Sequence, residues 1–419
     1  MLRLKCIARR DLSNACRYVL LAALCVVSSC GSDATSALKV QHVRTHRGSI
    51  LDVDFGAVVV ACGDINSDGV EDYFIGCPGS RSSANYPGRV EVYSGADGSQ
   101  LKSQIGPSDA RRFGESACVI DDVDGDGVND WVIGAPASAE PVGEHVLSGT
   151  VYCVSAKSGR VLRCSADESR FAAVGTTVLP CGDIDGDGHV DVLVGAPGSW
   201  EDGSRSSAIL AWSPHLGVTL YSIRGTPQDG LGKGIAVIAD IDGDKVNDFV
   251  AIRSEAVVIY SGRAGDVIGD IRKGAGCCNI GKVVDQAATW AQRSPLVCFA
   301  EFSLDGLVSN CTVSVGDSTT RQRLWNYRCS GAWAAMFVGG GLESDRVYFI
   351  QGGLCSATAQ GRTNAVPIEH YDSSPIWPIA HSADGDDRLA VAWEEYADLA
   401  SGPVACGVDV YDARMVYAK

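Results

Sequence analysis

Positive charge is scarce in this sequence. Thirty-five lysines and arginines stand against 51 aspartates and glutamates over 419 residues, a formal net charge of −16. That balance argues against a nucleic-acid partner, because little in it would neutralise phosphates. Methionine occurs only three times while glycine occurs 49 times, which points away from a helical bundle and toward short strands and tight turns. Beyond residue 30 no apolar run reaches the ~20 residues needed to cross a bilayer as a helix. Catalytic signatures are missing too: there is no GxSxG elbow, no HExxH helix and no phosphate-binding glycine loop. Four of the 17 cysteines lie in the first 30 residues, and none of the remaining 13 has CxxC or Cys–His spacing. Hydrophobic residues at 46% and charged residues at 21% nevertheless describe a chain that folds.

The first thirty residues read as a secretory signal. Arg3, Lys5, Arg9, Arg10 and Arg17 precede an apolar run from Tyr18 to Val27, which ends in Ser28-Ser29-Cys30. The segment resembles a bacterial lipoprotein signal, and the resemblance implies cleavage before Cys30 and lipidation of that cysteine. Gly31 stands where an aspartate would hold such a protein at the inner membrane, so the outer membrane or cell surface is expected. An ordinary signal peptide cut near Cys30 is the alternative. The expected division is a signal peptide over 1–29, the lipidated Cys30 and a short linker over 30–39, and one domain over 40–419. Removing the signal takes away five basic residues and one acidic residue, leaving 30 against 50 and a net charge of −20. Such a chain repels itself unless something cationic compensates.

Four acidic segments recur along the chain. The first carries Asp64, Asn66, Asp68, Val70 and Asp72 at alternate positions from 1 to 9. The second carries Asp122, Asp124, Asp126, Val128 and Asp130, and the third Asp183, Asp185, Asp187, His189 and Asp191. The fourth carries Asp240, Asp242, Asp244, Val246 and Asp248. Their first residues are 58, 61 and 57 positions apart, from the numbering 64, 122, 183 and 240. Apolar runs flank each copy, a pattern of strand, loop and strand. Oxygen ligands at positions 1, 3, 5 and 9, with a backbone carbonyl at 7, suit a hard cation that accepts six to eight oxygens. Calcium fits, and zinc does not, since no Cys or His side chain stands in a ligating register. Glycine at position 6 permits a left-handed turn in three copies; the fourth has Lys245, whose β-carbon costs about 1 kcal/mol there. Three calcium sites and a weaker fourth are therefore expected.

These residues resemble the FG-GAP repeats of the integrin α-subunit type of β-propeller. Phe55-Gly56 and Gly76-Cys77-Pro78 frame the first loop, and Phe113-Gly114 and Gly134-Ala135-Pro136 the second. Gly195-Ala196-Pro197 closes the third, where Phe171 and Gly175 stand apart, and Leu231-Gly232 opens the fourth. The pattern is clear over 55–250 and degenerate over 276–419. The expected fold is all-β, a seven-bladed propeller of four-stranded blades, closed by residues 41–53 joining a last blade built from 376–415. The resemblance implies that the calcium loops brace the face away from a ligand.

Cys153 and Cys164 flank one predicted hairpin turn, and Cys311 and Cys329 another, so each pair is a candidate disulfide. Cys62, Cys118 and Cys181 enter the loops on strands and read as core. The expected function is a lipid-anchored, calcium-braced module that binds a protein or glycan without catalysis. The alternative is an exported propeller enzyme, a polysaccharide lyase or glycoside hydrolase, with its site at the central channel.

Overall fold

The computed structural model describes residues 36–48, 54–79, 86–136, 149–165, 173–198, 206–226, 229–253 and 256–272, and strands between 279 and 417; side chains are described between 41 and 270 and for Val408 and Val410. Cys30 and the signal segment lie outside these residues. The described elements are all strands, arranged in seven four-stranded antiparallel sheets.

Six sheets run in chain order. The first is Val59–Gly63, Asp72–Cys77, Arg89–Tyr93 and Gln100–Ile105. The second is Ser116–Val119, Trp131–Ala135, Thr150–Val154 and Val161–Cys164. The third is Thr177–Gly182, Asp191–Ala196, Ala208–Ser213 and Val218–Arg224, and the fourth runs from Ile235–Val237 to Val267–Arg272. The fifth and sixth begin at Asn279–Val283 and Phe337–Gly341. First strands touch first strands between sheets 1 and 2, 2 and 3, 3 and 4, and 6 and 7, and that of sheet 1 also touches Ile376–His381. This is β-propeller architecture, each sheet a blade with its first strand innermost.

The second and third strands of a blade are covered on both faces by neighbours, which is why they read as unbroken apolar runs instead of alternating ones. Asp72–Cys77, Trp131–Ala135, Asp191–Ala196 and Ala208–Ser213 are buried at every position. Trp131 and Trp212 are wholly inside, so these two are blade core. Adjacent blades meet at glycines. A β-carbon on Gly134 would lie 2.1 Å from the Gly175 carbonyl oxygen, and one on Gly76 would lie 2.1 Å from the Gly114 carbonyl oxygen. In the third unit Val174-Gly175 fills the Phe-Gly place: Val174 is buried and Gly175 has φ of +91°. Phe171, named from the sequence, lies outside the described residues.

The seventh sheet takes its outermost strand from the start of the chain. Ser36–Arg47 pairs with Pro403–Tyr417, followed by Asp386–Tyr396 and Ile376–His381. Closure comes from the predicted region, but the strand begins five residues before 41 and ends at 47. It also grips sheet 1. Arg44 donates to the carbonyls of Ser94, Gly95 and Ala96 at 3.0, 3.1 and 3.1 Å. Buried His46 shares a 2.7 Å hydrogen bond with the Tyr73 hydroxyl, and its ring lies 4.0 Å from that of Tyr93.

One predicted disulfide is overturned by register. A bulge between Cys153 and Val154 sets Cys153 opposite Arg163 and Tyr152 opposite Cys164. Neighbouring strand positions face opposite sides of a sheet, so Cys153 is buried and Cys164 exposed, and both thiols are free. Burial raises the Cys153 thiol to about 12. Cys311 and Cys329 stand directly opposite one another in the fifth sheet. Cys62, Cys118 and Cys181 are buried.

Candidate metal centres

Each acidic loop joins the first and second strands of a blade, and backbone N–H groups shape it. In the second loop Asp122 Oδ1 accepts from Gly125 and Asp126 at 2.7 and 3.0 Å, and Oδ2 from Gly127 at 2.7 Å. Asp183 does the same with Gly186, Asp187 and Gly188, at 2.6, 3.1 and 2.9 Å. Asp240 accepts from Gly243 and Lys245 at 2.6 and 2.8 Å, and Asp64 from Asp68 and Gly69 at 3.0 and 2.8 Å. The wrap needs two left-handed residues. Position 6 is one, with φ of +86°, +88°, +89° and, at Lys245, +73°. Position 4 is the other, at Ser67, Gly125, Gly186 and Gly243, and the sequence reading missed it.

Position 9 closes the loop from the second strand. Asp72, Asp130, Asp191 and Asp248 are fully buried. Their Oδ2 atoms accept from Ile65, Val123, Ile184 and Ile241 at 2.8, 2.9, 2.8 and 2.8 Å. Their Oδ1 atoms face the hairpin between strands three and four, where the N–H of Gly95, Ala156 and Gly262 donates at 2.9, 3.2 and 3.0 Å. The third blade has Pro214 at that place, and Asp191 Oδ1 has no hydrogen-bond partner.

Carboxylates at positions 1, 3 and 9 gather in three loops. One oxygen each of Asp122, Asp124 and Asp130 lies within 4.8 Å of the others, as do those of Asp183, Asp185 and Asp191 and of Asp240, Asp242 and Asp248. In the first loop position 3 is the neutral Asn66, whose Nδ2 donates to Asp68 Oδ2 at 2.8 Å. Position 5 was expected in the same cluster and stands outside it. Asp68, Asp126, Asp187 and Asp244 accept from the position-7 N–H of Val70, Val128, His189 and Val246 at 2.9, 3.0, 2.8 and 2.8 Å. Their other oxygen faces the hairpin: the hydroxyls of Ser94, Ser155 and Ser261 at 3.4, 3.3 and 3.5 Å, and His215 Nδ1 at 2.9 Å. Three close carboxylates already repel, and the fourth takes donors instead.

Charge in the loops is held at some expense. Burial raises the carboxyls of Asp130 and Asp248, and it raises Asp191 to about 6, offset in part by the Ile184 N–H and the nearby Ser213 hydroxyl. The Gly127 N–H leads the bonds that hold Asp122 low. Burial works to raise Asp187, but the His215 hydrogen bond and the His189 N–H outweigh it. All-oxygen donors in crowded carboxylate clusters, each with its position-9 member buried, fit a hard divalent cation, whose charge reverses the local repulsion. The orphaned Asp191 Oδ1 fits one best.

Comparison with known proteins agrees with the repeat pattern. The model of the FG-GAP repeat matches residues 174–204, which enclose the third loop. Integrin alpha-V of Gallus gallus is 29% identical over 219 residues, covering 49% of this chain and 21% of its own length. Integrin alpha-4 of Xenopus laevis is 35% identical over 156 residues, covering 36% of this chain and 15% of its own. The repeats are of the FG-GAP, integrin α type. The chain spans about a fifth or less of the length of these integrin relatives. A solved structure of BBS1N in complex with ARL6DN has a TM-score of 0.54 at 10% identity, covering 88% of this chain and 96% of that one, which shows the shared fold alone. The FG-GAP glycines are the ones at which blades meet, Gly114 against Gly76 and Gly175 against Gly134.

Proposed function

We propose that the protein is a calcium-braced, lipid-anchored propeller of the bacterial cell envelope that binds a protein or glycan without catalysing a reaction on it. The observation that carries the calcium reading is the thrice-repeated triad of carboxylates at positions 1, 3 and 9, with Asp191 Oδ1 left for a cation. Asp122, Asp183 and Asp240 would hold the ion with their partners at 3 and 9, and Asp126, Asp187 and Asp244 would turn inward to join them. Calcium supplies compensating charge and so ties the first two strands of a blade together. Likeness to integrin α-subunits supports a binding module over an enzyme, with the ligand face opposite the loops. Lys245 keeps the fourth loop weaker, and Cys30 carries the lipid.

The experiment is thermal unfolding of the full chain with calcium and with chelator. A site whose dissociation constant lies a hundredfold below ambient calcium adds about 2.7 kcal/mol. A melting curve indifferent to chelation would overturn the reading. Lipid attachment is tested separately by fractionation of Cys30→Ser, which should leave the membrane.

A further inference from the structure

We propose that Asp121 couples the second and third metal loops, so that their ions are taken up together. The proposal rests on the calcium reading above and adds a regulation that the loop motif does not contain. Asp121 immediately precedes Asp122, the first ligand position of loop two. Its side chain nevertheless serves loop three: Oδ1 accepts from the Val190 N–H at 2.9 Å, and Oδ2 lies 2.6 Å from His189 Nδ1. Val190 is position 8, between the carbonyl of position 7 and the carboxylate of Asp191. One carboxylate therefore holds the segment that supplies two ligands to the neighbouring site.

The same residue is tied into its own loop through the backbone. The Asp130 N–H faces the Asp121 carbonyl at 3.4 Å, which joins Asp121 to position 9 of loop two. Beyond His189 the connection continues. Its ring lies 4.0 Å from that of His215, whose Nδ1 is 2.9 Å from Asp187 Oδ2, position 5 of loop three. Asp121 thus reaches positions 1 and 9 of one site and positions 5, 7 and 9 of the next within a few covalent or hydrogen bonds.

Among the described residues the other seams lack this bridge. The residue before position 1 is Gly63 in loop one, Gly182 in loop three and Ala239 in loop four. At Gly182 a β-carbon would lie 3.7 Å from Asn247 Nδ2, position 8 of loop four, so the seam has the same geometry with no carboxylate to span it. An ion in loop two fixes Asp122, and through it the carbonyl and carboxylate of Asp121. Loop three is then ordered before its own ion arrives, and the second ion pays less of the ordering cost. By reciprocity, filling loop three strengthens loop two by the same factor.

The test is a calcium titration of the full chain by calorimetry, repeated with Asp185→Asn to weaken site three, with Asp121→Ala, and with both. Asp185→Asn should weaken calcium at site two by roughly 5-fold or more, as couplings of this kind do. In the Asp121→Ala background it should leave site two unchanged, while the calcium stoichiometry of Asp121→Ala alone is retained. Asp121→Asn, which keeps an acceptor for the Val190 N–H, should restore part of the coupling. A site two indifferent to Asp185→Asn in the parent chain would overturn the proposal, as would coupling that survives Asp121→Ala. In either case calcium binding itself stands, whereas a chain that binds none at all sinks the underlying reading as well.

Discussion

Pro214 lies opposite Asp191 where the equivalent hairpins place Gly95, Ala156 and Gly262, and it leaves Asp191 Oδ1 unbonded inside the protein. Proline has no N–H to give. Three blades thus satisfy the position-9 carboxylate from the protein alone, and the third does not. Pro214→Ala should restore the donor. Satisfying a buried carboxylate oxygen is worth about 1–3 kcal/mol, against about 0.4–1 kcal/mol lost when the proline no longer restricts the unfolded chain. The bond wins, so the variant should melt higher in chelator. The calcium-dependent gain in stability should shrink correspondingly, and a variant with the parent's chelator melting point would count against an orphaned Asp191.

His46 makes closure of the ring sensitive to acid. Burial, and then the charge of Arg44, lower its pKa to about 4 from an ordinary value of 6.5. Its ring faces Tyr73 and Tyr93, with Arg44 two residues along the same strand. Above pH 6.5 the imidazole is neutral folded or unfolded, and stability does not depend on it. As pH falls from 6.5 toward 4 the unfolded chain takes the proton first, and stability is lost. At 1.36 kcal/mol per unit, the full loss is about 3 kcal/mol. Denaturant midpoints measured from pH 7 to 4 should fall for the parent chain and fall less for His46→Gln. Parallel profiles for the two would disprove the assignment.

Gly134 tests the seam between blades. With the Gly175 carbonyl 2.1 Å from the place of a β-carbon, and the Ser116 hydroxyl 2.3 Å away, Gly134→Ala forces backbone apart. Overpacking usually costs about 1–3 kcal/mol, and a backbone obstacle belongs at the upper end. Gly127→Ala serves as control, since nothing lies within 4 Å of its β-carbon position and only its φ of +88° resists. The seam variant should lose more in urea unfolding than the loop variant. The reverse order would show that blades do not meet there.

The acidic loops and the blade pattern were legible because their residues lie close together in the sequence. A ligand set at positions 1 to 9 followed by a buried strand shows itself in ten letters, and repetition fixes the architecture. Features that join distant letters were hidden. Asp121 lies 68 residues from His189 and 69 from Val190, and no local pattern pairs them. The predicted Cys153–Cys164 bridge failed on one residue of register, since a one-residue slip moves a side chain to the other face. Gly175 was named from the sequence, but Val174 before it was missed because burial, not the aromatic ring, is what the place requires.

Lys245 leaves the fourth loop folded like the others but burdens it with charge. It holds φ at +73° where the equivalent glycines have +86° to +89°, and Arg263 Nε lies 3.5 Å from Asp244 Oδ2. One oxygen each of Asp240, Asp242 and Asp248 nonetheless gathers within the same 4.8 Å as in loops two and three. Shape is therefore intact, and the handicap is strain of about 1 kcal/mol together with two cations beside the site. Lys245→Gly removes the strain and one cation, and should tighten the fourth site about 5- to 10-fold, counting 1.4 kcal/mol per factor of ten. Arg263→Ala removes an exposed charge and should do less, by no more than the ~1 kcal/mol of a surface pair. Calcium titration of the two variants distinguishes strain from charge. If Arg263→Ala gave the larger gain, electrostatics and not the left-handed turn would be what weakens this loop.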